Sequence, residues 1–152
     1  MADSDIVALY EALLAKWNAR DAAGFARLFA TDGSQVGFDG SQIDGQQAID
    51  EHLAQIFANH RTASFIGVVR EVRGLSADVI LLRAVAGMVP PDGNDINAAV
   101  NAVQSLVAVR DSSAWRVALF HNTPARFDGR PADVDALTAE LRGELKKKGI
   151  AK

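Results

Sequence analysis

The stretch Trp-Arg-Val-Ala-Leu-Phe-His-Asn-Thr-Pro-Ala-Arg-Phe-Asp-Gly-Arg-Pro, residues 115–131, decides where this chain changes from sheet to helix. It begins as an apolar strand, reaches the polar residues His121 and Asn122, and stops at Pro124, because proline cannot donate to a sheet. Pro131 then suits the first turn of a helix. Polar groups at the end of a buried strand are expected at the mouth of a pocket.

Three more apolar segments precede this strand. Residues 62–73, 77–89 and 99–110 are rich in Val, Ile and Leu, as is 114–123. The turn-forming residues between them are Gly74, Pro90-Pro91-Asp92-Gly93 and Asp111-Ser112-Ser113. We therefore predict four long strands paired in chain order as an antiparallel meander. The connection 90–98 is longer than a hairpin needs, and it is interpreted as either a lid or a surface insertion.

The rest of the chain carries helical patterns. Apolar residues recur there at spacings of three and four, which predicts helices over 4–19, 22–30, 45–58 and 131–147. Asp44 and Gln47 resemble a capping box at the start of the third helix.

Between the second and third helices we expect turns and a short hairpin. Asp39-Gly40 is a strong turn signal between 34–38 and 41–43, and Thr31-Asp32-Gly33 predicts a separate turn. Helices followed by a run of strands indicate an α+β fold, with a curved antiparallel sheet packed on N-terminal helices and an additional C-terminal helix. Such a sheet forms a cone with a pocket at its open end.

Composition restricts the class of protein. A chain of 152 residues predicts one domain, 1–152. With 16 basic and 19 acidic residues the net charge is −3, which argues against nucleic acid as a partner. There is no cysteine, so disulfides and thiolate ligands are excluded. No basic-then-apolar leader and no long apolar run occur, so we expect a cytoplasmic protein without membrane contact.

Two histidines lie on or after the third predicted helix. His52 and His60 are eight residues apart, which is roughly 12 Å along a helix and too far to share one metal ion without other ligands. We predict both to be structural or exposed, and we expect no metal site.

Several motifs resemble those of known families. The first part of the chain resembles the nuclear-transport-factor-2-like superfamily in three motifs, Trp17-Asn18-Ala19-Arg20-Asp21, Leu28-Phe29-Ala30-Thr31-Asp32-Gly33 and Gly45-Gln46-Gln47-Ala48-Ile49. That superfamily includes SnoaL-like polyketide cyclases and ketosteroid isomerases. Four further segments are similar to the SgcJ/EcaC family, namely residues 36–40, 82–90, 101–104 and 122–125.

The resemblance implies a cone-shaped α+β barrel, usually a homodimer, in the biosynthesis of bacterial enediyne polyketides. It does not carry over the ketosteroid isomerase reaction, because the positions of the oxyanion tyrosine and of the carboxylate base fall on Leu13 and Gly37. The word oxidoreductase is attached to this family, yet no glycine-rich dinucleotide loop follows a strand, so no cofactor is expected.

His121 is the candidate catalytic residue. The pKa of a histidine lies near neutrality, so it can act as a general acid or base. The alternative is a strand-end histidine bonded to the backbone. Because side chains alternate along a strand, only one of His121 and Asn122 faces into the cone.

Arg83 and Gln104 are candidate ligand-binding residues within strands. Arg83 suits an anionic or carbonyl ligand; the alternatives are an ion pair with Glu71 or Asp39, or a solvated outer face. Gln104 suits a carbonyl or hydroxyl ligand, or else an amide buried in a dimer interface.

The remaining candidates are Asn101 and three aromatic residues. Asn101 is a candidate contact at the rim, with ordinary loop chemistry as its alternative. Aromatic side chains line either the pocket or the core; they are Trp17, Phe38 and Phe57.

These observations predict a cone that binds a small, apolar, polyketide-like intermediate, either as a binding protein or with cyclase-like proton transfer by His121. The alternative function is a homodimeric interaction protein with no ligand of its own. A cavity of several hundred Å³ favours the first function, and a cone packed shut by Phe and Leu favours the second.

Overall fold

A computed structural model describes residues 2–150 of the chain. The four helices are α1 (Ala2–Asn18), α2 (Ala22–Arg27), α3 (Gln46–Asn59) and α4 (Pro131–Lys148). The six strands are β1 (Phe29–Val36), β2 (Gln42–Asp44), β3 (Ser64–Ser76), β4 (Val79–Val89), β5 (Ala102–Asp111) and β6 (Ala114–Pro124), and a 3₁₀ turn spans Ala98–Val100. No helix within this range is long and apolar enough to cross a membrane.

All six strands form one curved sheet in the order β2-β1-β6-β5-β4-β3. Strands β3 to β6 pair antiparallel in chain order, which is the predicted meander. β1 pairs antiparallel with β2 but lies parallel to β6, so the sheet is mixed. The predicted α+β class, with N-terminal helices, a curved sheet and a C-terminal helix, is confirmed.

The two faces of the sheet pack against different helices. Along β4, Leu82 and Ala84 belong to the main core, which α1, α2 and α3 complete on one face. Val85 and Val89 belong to a second core beneath Leu141 of α4. Because side chains alternate along a strand, α4 covers the opposite face from the other three helices. We call the α1–α3 side the inner face.

A β-bulge in β6 changes which residues point inward. Val107 on β5 is opposite Leu119, but the next residue, Ala108, is opposite Val117, so Ala118 is the extra residue. Val117 and Phe120 are therefore both buried in the main core although they are three residues apart. A bulge of this kind reverses the alternation of all the residues that follow it.

The second helix is shorter than predicted, and residues 31–33 lie in β1 rather than in a turn. The reason is the pairing with β6, because the Val117 N–H donates to the Leu28 carbonyl at 2.8 Å. A Cβ on Gly33 would lie 2.6 Å from the Val117 carbonyl oxygen, so only glycine permits this approach of the two backbones.

The predicted capping box is also wrong. Gly45 is the N-cap of α3 at a φ of +96°, and no side chain caps the helix. Asp44 ends β2 and accepts a hydrogen bond from the Ser34 hydroxyl, while Gln47 bonds to Glu51. By contrast, the predicted turn at Asp39-Gly40 is confirmed, with Gly40 at a φ of +92°.

Two strand boundaries differ from those predicted. Gly74 lies inside β3, which continues to Ser76. β5 begins only at Ala102, because the residues before it form the 3₁₀ turn. The 90–98 connection is anchored on α4, where Ile96 is buried and Asp95 accepts a 2.8 Å bond from Arg142.

Candidate functional site

The open end of the cone holds a cavity of about 460 Å³ between the inner face of the sheet and the helices. Its wall is mostly apolar and aromatic, and it includes Leu14, Trp17, Phe25, Phe38, Ile43, Leu53, Ile56, Phe65, Met88 and Phe120. A volume of this size is typical of sites for small organic molecules. The cavity is therefore the candidate functional site.

Residues 17–21, the motif of the first resemblance, hold the wall of the cavity in place. The Trp17 indole donates to the Ala63 carbonyl at 2.9 Å. The Asn18 amide makes two bonds to the backbone of Phe65, at 2.8 and 3.0 Å. Arg20 donates to the carbonyls of Phe57 and His60. The motif thus ties α1 to α3 and to the start of β3, which fixes the aromatic residues around the cavity.

Aromatic contacts continue this support behind the cavity wall. The ring of Trp17 is edge-on to Phe57, with centroids 5.2 Å apart, and lies 5.5 Å from the ring of Phe65. Phe57 itself does not line the cavity. Its role is to support Trp17, since edge-on aromatic pairs stabilise each other beyond the apolar area that they bury.

A chain of buried polar side chains ends at the cavity. The Tyr10 hydroxyl donates to Oε1 of Gln104 at 2.6 Å. Nε2 of Gln104 donates to Oδ1 of Asn122 at 3.3 Å, and Asn122 lines the cavity. Burial raises the pKa of Tyr10 well above its usual value, so the hydroxyl remains a donor throughout the physiological range.

Gln35 is the other buried polar residue of the cavity wall. It comes from β1, is 8% exposed, and its Oε1 is buried without a hydrogen-bond partner among residues 2–150. A buried acceptor left unpaired costs about 1–3 kcal/mol. Gln35 is therefore a group for which a ligand can supply the missing partner.

Titratable side chains lie at the mouth of the cavity, where Asp39, His52 and His60 contribute to its wall. The Ser41 N–H donates to the Asp39 carboxylate at 3.0 Å, and this bond, with a smaller contribution from the charge of His52, lowers the pKa of Asp39. Within the described chain no three His, Asp, Glu or Cys side chains come together as a metal site.

His121 does not face the cavity. Its side chain is exposed on the outer face, while its neighbour Asn122 is 6% exposed and lines the cavity. The prediction that His121 points into the cone is wrong because the bulge at Ala118 reverses the alternation. Strict alternation from the buried Val117 would place His121 on the inner face, whereas the residue that faces inward is Asn122.

Arg83 also lies on the outer face. Its guanidinium is 3.7 Å from the carboxylate of Glu71, its cross-strand partner on β3, and the side chain is 57% exposed. Of the alternatives weighed from the sequence, the structure shows both the ion pair with Glu71 and the solvated outer face. The arginine therefore has no contact with a ligand in the cavity.

The two predicted amides are buried but do not line the cavity. Gln104 is fully buried and contacts the cavity only through Asn122. Asn101 is 2% exposed on the α4 side of the sheet, where its Nδ2 donates to the Thr138 hydroxyl and its carbonyl accepts from the Ala125 N–H. Among the predicted aromatic residues, Trp17 and Phe38 line the cavity.

Sequence reasoning missed Gln35, Asp39, His52 and His60 as residues of the cavity. His52 lies on α3 and His60 directly follows its last residue; both line the cavity, but the direction in which this end of α3 faces was not available from the sequence. The inward position of Gln35 follows from the alternation of side chains within β1, where Gly33 and Gln35 are buried and Ser34 is not.

The comparisons with known proteins address the fold. Neither a family model nor a curated protein matches the sequence. A domain of unknown function from Nostoc punctiforme, described as having a cystatin-like fold, aligns with a TM-score of 0.78 at 22% identity, over 97% of this chain and 94% of that one. The chain has a cystatin-like fold.

Two further solved structures share this fold. An NTF-2-like protein of unknown function from Shewanella oneidensis aligns with a TM-score of 0.63 at 18% identity, over 81% of this chain and 99% of that one. A ketosteroid isomerase-like protein from Erwinia carotovora atroseptica aligns with a TM-score of 0.65 at 17% identity, over 81% and 95%. At these identities the cystatin-like fold is what is shared.

Proposed function

We propose that this protein binds a small, mainly apolar molecule in the cavity of the cone. The observation that carries the proposal is the open cavity of about 460 Å³ with its aromatic wall. A protein whose only role was subunit association would gain stability by filling this space with side chains, because the interiors of proteins are otherwise closely packed.

For the ligand we propose a polyketide-like intermediate of bacterial natural-product biosynthesis, of the enediyne type. The support is the resemblance of residues 36–40, 82–90, 101–104 and 122–125 to the SgcJ/EcaC family. Three of these segments supply residues to the cavity, among them Phe38, Met88 and Asn122. A wall rich in aromatic rings suits a conjugated, planar molecule, since such rings stack on one another.

The proposal includes acid–base assistance only at the mouth of the cavity. Asp39, His52 and His60 are the titratable groups there that line the cavity. The deep wall contributes the neutral amides of Gln35 and Asn122 instead. A ligand in the deep part is therefore held rather than protonated, and His121 takes no part.

A fluorescent probe tests the binding function. N-phenyl-1-naphthylamine is uncharged, and its emission rises in apolar surroundings. We expect saturable binding of one probe per chain. Ile56→Trp places an indole into the cavity and is expected to weaken binding by about ten-fold or more, since a filled site cannot accept the probe.

Ala58→Trp is the matched control, because it adds the same ring to an exposed position of the same helix. It is expected to bind the probe like the unmodified protein, and thermal melting checks that both variants are folded. Absence of saturable binding, or equal binding by Ile56→Trp, would contradict the proposal.

A second candidate function, homodimer formation, has its own supporting observation. On the outer face Leu81, Val107 and Leu119 are direct cross-strand partners on β4, β5 and β6, and all three are only half-buried. A contiguous apolar row of this kind is typical of subunit interfaces. We propose that two chains pair through this row while each keeps its own cavity.

Light scattering after size exclusion tests the dimer. Val107→Lys places a charge in the middle of the row and is expected to convert a dimer into a monomer that still binds the naphthylamine probe. A monomeric unmodified protein would contradict dimer formation and leave ligand binding unaffected.

A further inference from the structure

The deep part of the cavity carries hydrogen-bonding groups that the fold leaves unused. Oε1 of Gln35 has no hydrogen-bond partner among residues 2–150, although the residue is more than nine-tenths buried. Asn122, which lines the same cavity, accepts a bond at Oδ1 from Gln104. Buried polar groups are normally paired, so the unpaired Oε1 of Gln35 indicates a ligand with a donor of its own.

The buried chain behind Asn122 fixes which atom of its amide is turned to the ligand. The Tyr10 hydroxyl donates to Oε1 of Gln104, which leaves Nε2 of Gln104 as the donor toward Asn122. Oδ1 of Asn122 is thereby occupied, and Nδ2 remains as a donor. Tyr10 and Gln104 are thus positioning residues for Asn122.

The amide of Gln35 can change its orientation, whereas that of Asn122 is held by Gln104. No bond within residues 2–150 restrains Oε1 of Gln35, and the last torsion of a glutamine has a broad range, so Oε1 can turn to meet a donor. Gln35 lies beside Phe120 on β6, two residues before Asn122 on the same strand. Gln35 and Asn122 are therefore diagonal neighbours, roughly 7–8 Å apart, which is within reach of long side chains, so one end group of a ligand can contact both amides.

The charges of the cavity exclude an anionic end group. No Lys or Arg is among the residues that form its wall, and the only carboxylate, Asp39, lies at the mouth. A ligand carboxylate bound at the deep amides would be desolvated without a cation to pair with it, which is costly.

We infer that the deep end of the cavity recognises a neutral end group with adjacent acceptor and donor atoms. Its carbonyl accepts from Nδ2 of Asn122, and its N–H or O–H donates to Oε1 of Gln35. Carboxamides, undissociated acids and hydroxy-carbonyl groups have this pattern, and carboxylates do not. The inference rests on the proposed binding function and specifies the chemical class of its ligand.

Three naphthalene compounds of nearly equal shape test this inference by calorimetry at neutral pH. 2-Naphthamide offers both an acceptor and a donor, methyl 2-naphthyl ketone offers an acceptor only, and 2-naphthoate offers acceptors with a negative charge. We expect 2-naphthamide to bind about five-fold tighter than the ketone, because it makes one more hydrogen bond. It should bind at least about ten-fold tighter than the naphthoate, because the naphthoate loses its hydration.

The variant Gln35→Met tests whether Gln35 causes the difference in affinity between 2-naphthamide and the ketone. It removes the amide, keeps the length of the side chain and breaks no hydrogen bond within residues 2–150, so the fold is retained. We expect this variant to bind 2-naphthamide and the ketone with about equal affinity. Tyr10→Phe is expected to reduce the same preference, because it frees the amides of Gln104 and Asn122 to turn. His121→Ala, on the outer face, is the control and should leave the preference unchanged.

Equal binding of the three compounds, tightest binding of the naphthoate, or an unchanged preference in Gln35→Met would overturn the inference while leaving the proposed function standing. Failure of all three compounds to bind a protein that does bind N-phenyl-1-naphthylamine would overturn it in the same way. If the naphthylamine probe also fails to bind, the proposed function fails with it.

Discussion

Nε2 of Gln104 on β5 donates a hydrogen bond to Oδ1 of Asn122, its direct cross-strand partner on β6, at a distance of 3.3 Å. Neither side chain has more than a trace of exposure. The pair connects the buried hydroxyl of Tyr10 to the wall of the cavity. The core of the cone therefore contains a chain of polar side chains that runs from α1 to the cavity wall.

This connection predicts non-additive effects of mutation. Tyr10→Phe leaves Oε1 of Gln104 buried without a donor, which should lower the free energy of unfolding by about 1–3 kcal/mol. Gln104→Met should cost a similar amount. The double variant should lose about 1 kcal/mol less than the sum, since the two single variants each break the same bond. Urea unfolding measures all four proteins, and strictly additive losses would show that the bond is not formed.

The same tyrosine predicts a dependence of stability on alkaline pH. Burial raises the pKa of Tyr10 in the folded state, while in the unfolded chain it ionises near about 10. Above that pH the unfolded state releases the proton and the folded state keeps it, so stability falls as pH rises. Unfolding free energies of the unmodified protein and Tyr10→Phe should converge from about pH 10 upward. A constant difference between pH 8 and about pH 11 would contradict this.

The bulge at Ala118 predicts that neighbouring residues of β6 respond differently to mutation. His121→Ala, on the outer face, should change the free energy of unfolding by less than about 0.5 kcal/mol and leave probe binding unaltered. Asn122→Leu should lower it by about 1–3 kcal/mol, because Nε2 of Gln104 loses its acceptor. Chemical unfolding checks both, and the opposite ranking would place His121 on the inner face.

Two glycines of β3 form a matched pair for a packing test. A Cβ on Gly67 would lie 2.3 Å from the Tyr10 hydroxyl and 2.8 Å from a methyl group of Leu14, whereas a Cβ on Gly74 meets nothing within 4 Å. Gly67→Ala should cost about 1–3 kcal/mol through overpacking. Gly74→Ala should be neutral or slightly stabilising, because it only restricts the unfolded chain. Thermal melting that finds equal effects would contradict the close packing of Tyr10 on β3.

An ion pair joins α4 to β3. Removing it should lower the free energy of unfolding slightly at neutral pH and leave it unchanged in acid. The two terminal nitrogens of the Arg70 guanidinium each donate a hydrogen bond to one carboxylate oxygen of Glu140. These bonds lower the pKa of Glu140. The pair is some 40% exposed, so solvent screens it and Glu140→Gln should cost less than about 1 kcal/mol.

The sign of this pH dependence follows from the lowered pKa. Stabilisation by Glu140 is complete above the pKa of the unfolded chain, about 4.3, and is lost as pH falls through the lower pKa of the folded state. The unmodified protein and Glu140→Gln should therefore have equal stability in strong acid and differ at pH 7. Asp95 of the 90–98 connection, whose pKa is lowered by Arg142 two residues after Glu140, is unchanged in both proteins and serves as an internal reference.

Much of the fold was predictable because it follows from local patterns. The meander follows from four long runs of β-branched residues, and the first hairpin from Asp39-Gly40, whose glycine adopts the left-handed φ that the turn requires. α4 begins at Pro131 and ends before Gly149, as predicted. Each of these features depends on residues that are neighbours in sequence.

The errors arose where distant segments meet. Residues 31–33 have the composition of a turn, yet they form a strand because β6 provides a partner for their backbone. Asp44 and Gln47 have the spacing of a capping box, yet Ser34 and Glu51 occupy their side chains. For residues 31–33 a distant strand overrode the local preference, whereas Asp44 and Gln47 each found another partner, Gln47 one turn along its own helix.

By itself the sequence determined the order of the elements, the α+β class and the presence of a cone, since periodicity and turn chemistry are properties of short segments. Which residues line the cavity was decided only by the tertiary structure. One extra residue, Ala118, moves His121 to the outer face and Asn122 to the inner face. A bulge depends on the pairing of two strands and leaves no mark in the periodicity of either one. Residues 115–131 thus revealed where the sheet ends, but the register between β5 and β6 decided that an amide, not an imidazole, faces the cavity.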